Sequence, residues 1–267
     1  MRFSRFVRLM VLLPLCSAVW SPQTAAQQGT QPTPAPRDVQ AVNVVNQALN
    51  VAGGLAAILA VNDYTASGNI SYHQGQNQDV QGSVIMSGLG LNEFRLDATL
   101  QAGVRSFAVN SEGQTAGKNE NGDVWRKQFP IPMITGTFAL PSRELAVAFV
   151  NPYFSLSFKG LVEVDGQSLY DVQVQRELPG QFDPNGLIAK YHTVDFFIDA
   201  LTLRVVMLQD VVPKDLPRQI RYSDFRLLNG VLSPFSIEER INTQPFLTIN
   251  LNQIGFNVGL QDSSFEL

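Results

Sequence analysis

Apolar side chains that alternate with polar ones at every second position recur through most of the chain from Tyr64 onward. Tyr64, Ala66, Gly68, Ile70 and Tyr72 alternate with Thr65, Ser67, Asn69, Ser71 and His73. Phe94, Leu96, Ala98 and Leu100 oppose Arg95, Asp97 and Thr99. Phe154, Leu156, Phe158, Val162 and Val164 share one parity, and Tyr170, Val172 and Val174 return against Asp171, Gln173 and Gln175. Val194, Phe196 and Ile198 form a further run, answered by Leu203, Val205 and Met207. Neighbouring side chains on a strand point to opposite faces, so this pattern marks antiparallel strands with one apolar face. Asp165-Gly166 and Asn229-Gly230 are hairpin-turn dipeptides, the second joining 218–228 to 231–241, and a last strand covers 245–253. No internal repeat and no boundary divides this sheet.

Two intervals break the period. Asp38 is placed to cap a helix whose apolar stripe is Val42, Val45, Leu49 and Ala52, interrupted at Gly53-Gly54 and resumed over Leu55 to Val61. Its polar face is Asn and Gln, so it needs tertiary packing to persist. Further on, Pro130 and Pro132 break any strand, and Pro141 opens a helix carrying Leu145, Ala146, Phe149 and Val150 that Asn151-Pro152 ends. Residues 177–190, with two prolines and two glycines, read as a loop. The fold class is therefore mainly β (α+β). A sheet of nine or more strands curls, and the N-terminal and middle helices can cover its concave face. That leaves a cavity roofed by helices and lined by one apolar parity.

The first 26 residues are different in kind. Arg2, Arg5 and Arg8 precede an apolar run from Leu9 to Val19, and Thr24-Ala25-Ala26 offers small residues for a cut before Gln27. This reads as a secretory signal peptide; an uncleaved anchor or a lipid-modified Cys16 are the alternatives. No other segment is long and apolar enough to span a bilayer as a helix, so the expected mature chain is exported, periplasmic or secreted. Residues 27–37, with Pro32, Pro34 and Pro36, read as a solvated extended linker, and 38–267 as one domain.

Composition narrows the chemistry. Removing the leader takes three arginines and leaves 16 Lys+Arg against 23 Asp+Glu, a net −7, which argues against a nucleic-acid partner. The lone cysteine, Cys16, lies in the leader, so the mature chain has no disulfide or thiolate nucleophile. His73 lies on the polar parity of its strand, and His192 just before another. Two histidines so far apart do not make a metal site, and neither a metal nor a cofactor is expected. There is no G-x-S-x-G elbow, and Gly88-Leu89-Gly90 is a lone G-x-G without a following helix. Glu93, Asp97, Asp171 and Asp195 lie on strands and read as solvent-face acids rather than as a catalytic pair. No catalytic residue is assigned.

Several segments taken together resemble the periplasmic lipoprotein-carrier and lipoprotein-sorting superfamily (LolA/LolB-like). The order matches: an export signal, a first helix, the Gly-Gly break, then a strand with Ala66-Ser67-Gly68. Phe107 to Thr115, Phe196-Phe197-Ile198-Asp199 with Leu203 to Val206, Tyr222 to Phe225 with Asn229 to Pro234, and Asn257 to Phe265 are similar to the family's hairpins and closing tail. The resemblance covers most of 38–267. It implies an open antiparallel half-barrel with a helical lid over an apolar cavity that takes acyl chains. The chain departs from the best-known carriers after the second strand. Where those have an arginine ahead of a proline, it reads Met86-Ser87-Gly88-Leu89-Gly90, so a lid-latching role for that arginine does not carry over.

The expected function is thus an exported carrier that holds a lipid or acylated lipoprotein chain. Phe94, Leu96, Phe107, Phe154, Leu156, Phe158 and Phe196 are the candidate cavity wall. Burial of methylenes supplies about 0.8 kcal/mol each, so a ~16-carbon chain offers on the order of 12 kcal/mol before ordering costs. The same phenylalanines also suit ordinary core packing. An envelope sensor or scaffold domain that binds a protein partner is the alternative, and an envelope hydrolase a third. An apolar cavity favours the carrier; a filled core with an exposed apolar patch favours the scaffold.

Overall fold

The computed structural model describes residues 34–73, 79–128, 136–177, 183–212 and 214–267. The expected leader, most of the linker, Pro130, Pro132 and part of the 177–190 loop lie outside the described residues. Two helices, α1 (Val39–Val51) and α2 (Leu55–Leu59), precede strands β1 (Asp63–His73), β2 (Asp79–Leu89), β3 (Glu93–Leu100), β4 (Gly103–Val109), β5 (Gln114–Lys118) and β6 (Val124–Gln128). Helix α3 (Pro141–Val150) leads to β7 (Phe154–Val164) and β8 (Gln167–Arg176). Then come α4 (Leu187–Tyr191), β9 (Thr193–Asp199), β10 (Val205–Val212), β11 (Leu216–Leu228), β12 (Val231–Ile241), β13 (Gln244–Phe256) and a 3-10 turn at Asp262–Phe265.

These strands form one open antiparallel sheet of 13 strands in the order β6-β5-β4-β3-β2-β1-β13-β12-β11-β10-β9-β8-β7, curled as a half-barrel. The chain steps outward from β1 to one edge at β6. It resumes at the opposite edge, β7, and steps inward until β13 pairs with β1. The turn dipeptides behave as read. Asp165-Gly166 and Asn229-Gly230 both take positive φ, and their flanks pair as Val164↔Gln167 and Leu228↔Val231.

Helices α1, α2 and α3 cover one face. Asp38 caps α1, its Oδ1 accepting from the amides of Gln40 at 2.7 Å and Ala41 at 3.4 Å. The buried stripe of α1 is Ala41, Val44, Val45, Ala48 and Leu49, rotated slightly from the expected one, so that Val42 is only partly buried. Gly53 ends it against the β11–β12 turn: a Cβ there would stand 2.0 Å from the Gly230 carbonyl oxygen, and φ is +120°. Helix α3 begins with Pro141 and ends at Val150, as the sequence predicts.

Some readings need correction. Pro34–Arg37 is extended as read, with Pro34 and Pro36 exposed, but it is docked rather than free. It runs beside the β7 edge through Ala35 N–H to Pro152 O (2.8 Å), Leu156 N–H to Pro36 O (3.1 Å) and Asp38 N–H to Leu156 O (2.8 Å). Ala35 is buried, and the Arg37 guanidinium donates to the carbonyls of Ala148 (3.1 Å), Phe149 (2.5 Å) and Asn151 (2.5 Å) at the end of α3. Within 177–190 a short helix, α4, forms because the Asp183 carboxylate accepts from the amides of Ile188 (3.0 Å) and Ala189 (2.8 Å). Parity itself breaks at bulges. An extra residue between Phe158 and Gly160 turns Val162 and Val164 to the outer face, against Leu169 and Phe197. A shift between Val205 and Met207 likewise sends Met207 outward.

Candidate functional site

The register shows which side chains share the helix-covered face. One row crosses eight strands: Phe158, Val172, Phe196, Leu208, Ile220, Glu239, Leu247 and Tyr72. Another runs outward through Leu96, Phe107, Gly117 and Trp125 on β3 to β6. All seven wall candidates therefore lie on this face, but not with equal access. Phe94, Leu96, Phe154, Leu156 and Phe196 are buried in the core that includes α1 and α3. Phe158 is half-buried against that core, its ring 6.1 Å from Tyr170. Phe107 is 36% exposed.

The accessible apolar surface of this face is thus at its two rims. On one rim the indole of Trp125 lies over Gly117, where a Cβ would come within 2.3 Å of the ring, so only glycine admits this packing. Trp125 is 43% exposed. The ring centroids of Phe138 and Phe94 are 5.6 Å apart and those of Phe94 and Phe107 6.3 Å. Aromatic side chains therefore run from the turn before α3 to the outermost strand. Arg105 stands beside them over the Tyr72 ring at 4.5 Å and pairs with Glu120 at 2.5 Å. On the other rim Leu161, turned to this face by the β7 bulge, pairs with Tyr170 and is 59% exposed. A cleft of about 260 Å³, including its open mouth, lies between the end of α1 and the start of α3, lined by Ala52, Pro141, Val205, Phe225 and Leu232. It falls below the usual size of small-molecule pockets.

Charge is also buried here, which the sequence reading did not anticipate. Arg218 on β11 clamps Asp210 on β10 through Nε at 2.8 Å and Nη2 at 2.6 Å, and its Nη1 is 3.6 Å from Glu239 on β12. Burial works to lower the guanidinium pKa, but Asp210 and Glu239 raise it on balance. Burial raises Glu239, with Arg218 opposing. Above them Glu144 of α3 accepts from Thr137 Oγ1 at 2.8 Å through Oε2, while Oε1 has no hydrogen-bond partner. Burial pushes Glu144 up to about 8. Polar ties hold α3 at both ends. Arg143 donates to the carbonyls of Val61 and Gly90, Tyr222 Oη donates to Phe138 O at 3.0 Å, and Arg37 meets the far end. The tie to the loop after β2 is therefore made by an arginine on the helix.

The remaining sequence candidates lie on the outer face or at strand ends. His73 sits between Asp79 Oδ1 (3.0 Å) and Thr248 Oγ1 (2.9 Å). His192 ends α4 and accepts from the Arg176 amide at 3.1 Å. Glu93, Asp97, Asp171 and Asp195 point outward as read, yet they are not solvent acids. Asp97 holds Arg95 (2.7 Å) and Ser106 (2.6 Å), and Arg95 in turn binds the carbonyls of Ser264 (3.2 Å) and Glu266 (2.9 Å) in the C-terminal tail. That tail buries Phe265 and leaves Glu93 only 8% exposed. Burial, with Asp195 adding, raises Asp171 to about 6. No three His, Cys, Asp or Glu gather as a metal site among the described residues. No described helix is long and apolar enough to cross a membrane.

No family profile and no curated protein matches this sequence. Solved structures do match in three dimensions. A LolA superfamily protein from Nitrosomonas europaea superposes with a TM-score of 0.52 at 10% identity, over 84% of this chain and 97% of that one. The fold is LolA-type. An outer membrane lipoprotein-sorting protein domain from Vibrio parahaemolyticus superposes at 0.51 with 9% identity, over 84% and 95% of the two chains. A DUF1329 family protein from Desulfovibrio piger gives 0.50 with 13% identity, over 83% and 97%. At such identities it is the LolA-type architecture that is shared: an open sheet with helices on one face.

Proposed function

We propose that this protein is an exported carrier that holds a lipid-like or lipoprotein acyl chain against the helix-covered face of its half-barrel, and that it has no catalytic role. The observation that carries this reading is the aromatic run from Phe138 through Phe94 and Phe107 to Trp125, which joins an exposed rim to the apolar face beneath α3. The LolA-type fold, shared with a lipoprotein-sorting domain, is consistent with it. An acyl chain gives up only methylene hydration on binding, at about 0.8 kcal/mol each, so an apolar rim and face suffice without polar chemistry. In this reading the chain docks first on Phe107 and Trp125, or on Phe158 and Leu161 at the other rim, and reaches Phe94, Leu96, Phe154, Leu156 and Phe196 when the helices part. The first 26 residues direct export.

A second reading keeps the face closed and uses the Phe107–Trp125 rim to dock an envelope protein. The burial of Phe94, Leu96, Phe154, Leu156 and Phe196 in a packed core, beside an exposed aromatic patch, favours it. Native mass spectrometry of protein purified from the envelope, with lipid extraction, separates the two. The carrier reading expects a stoichiometric adduct of lipid mass released by organic solvent. A ligand-free mass together with a co-purifying polypeptide supports the second reading and rejects the first.

A further inference from the structure

Glu144 is only 2% exposed and lies on the inner side of α3, which among the described residues is the helix between the two edge strands in chain order. Among the described residues, the groups that face it can be named from each element. Thr137, in the turn before α3, donates to Oε2. Asp210 from β10 and Arg218 from β11 act on it electrostatically, and Tyr222 from β11 feels its charge. Glu239 from β12 adjoins Arg218. Neither α1 nor α2, which pack against α3, carries a titratable residue. Arg218 favours the ionised Glu144 electrostatically, but its Nε and Nη2 bind Asp210, and burial outweighs its pull on Glu144. An ionised Glu144 would therefore be buried near the Asp210 carboxylate with Oε1 unpaired, an arrangement costlier than the neutral acid.

The surroundings let the helix respond alone. The sheet strands pair with one another along their lengths and need no bond from α3 to keep their register. The helix has no side-chain N-cap; Leu145, Ala146 and Ala148 pack it on the core without directional bonds, and its side-chain polar ties are arginine and tyrosine bonds at its two ends. We propose that α3 is a proton-controlled lid: with Glu144 neutral it lies closed on Asp210, Arg218 and Tyr222, and ionisation of Glu144 lifts it from the helix-covered face. Lifting returns the carboxylate to water and uncovers the surface beneath Leu145 and Ala148. The upward displacement of the Glu144 pKa to about 8 sets the window in which this happens. The inference stands whether the face receives an acyl chain or a protein.

Hydrogen exchange of the intact protein between pH 5.5 and 8.5, with rates corrected for intrinsic base catalysis, tests it. From pH 5.5 to about 8 the α3 amides of the wild type are expected to lose protection by up to tenfold per pH unit and then level off, while β10 to β12 keep theirs. Glu144→Gln, or Glu144→Met should the glutamine variant not fold, is expected to hold α3 protection constant over the range. Wild-type α3 protection that does not change with pH would overturn the proposal. So would loss in step with β10 to β12, or a pH dependence that survives Glu144→Gln.

Discussion

Phe196 and Trp125 lie on the same face of the same sheet, yet one is fully buried on β9 under the helices and the other is 43% exposed on the opposite edge strand. The centre of the packed core, covered by α1 and α3, packs as protein interiors do, with Phe196, Leu156 and Val172 of β9, β7 and β8 in one continuous cluster. The rim on β4 to β6 has no such cover: Trp125 rests on Gly117, and Phe107 extends the surface inward to Phe94. The same residue type thus does two jobs. Central aromatics hold the helices to the sheet, and rim aromatics leave apolar surface exposed. The centre also carries charge in Asp210, Arg218, Glu239 and Glu144, so its closure is conditional on protonation in a way that the rim's exposure is not.

Variants should divide along this line. The largest loss is expected at the buried ion cluster. Arg218→Met leaves Asp210 and Glu239 without a counter-charge and should cost about 3–5 kcal/mol in urea melts. Phe196→Ala should cost about 3–5 kcal/mol as a truncation in a filled core. The pH dependence comes next. Glu144 is raised to about 8 in the folded state, so between its ordinary value and 8 the folded chain holds a proton that the unfolded chain has released. Stability from this group is full at acid pH and falls as pH rises to 8, by at most about 1.4 kcal/mol per unit. Asp171, raised to about 6, adds a loss of the same sign that ends near that pH. Glu144→Gln should therefore flatten the fall between pH 6 and 8 and reduce, without abolishing, the fall below 6, where the Asp171 share remains, as read from melting temperature against pH. Phe158→Ala, at a half-buried site, should cost less than about 2 kcal/mol. Phe107→Ala and Trp125→Ala should each cost less than about 1 kcal/mol. Central losses as small as these would erase the distinction between the two regions.

Much of the fold was legible because it is written in local rules. Period-two runs marked β1, β3, β8 and β9, Asp165-Gly166 and Asn229-Gly230 marked their turns, and Asp38 and Pro141 marked helix starts. Parity reading failed where a single inserted residue reverses it. Val162, Val164 and Met207 were assigned to the face opposite the one they occupy, because bulges at Phe158/Gly160 and Val205/Met207 leave no sign in the alternation. The site was legible in part. The seven wall residues share the helix-covered face, but which remain accessible depends on where α1 and α3 end, a tertiary fact. Trp125 was missed because the short β6 run, Val-Trp-Arg-Lys-Gln, has no alternation to read. Asp210, Arg218 and Glu239 did leave a signal: each is a charged residue on the apolar parity of its strand, as Glu239 is between Ile237 and Ile241.

Displacement of a fluorescent fatty acid, measured alongside thermal melts of the same samples, tests the central claim most directly. The account predicts saturable binding by the wild type and binding weakened at least tenfold by Trp125→Ala and Phe107→Ala, with melting temperatures changed by only a few degrees. Contradiction would come from a wild type that binds no fatty acid, or from rim variants that bind as the wild type does while only core truncations such as Phe196→Ala reduce binding in proportion to unfolding.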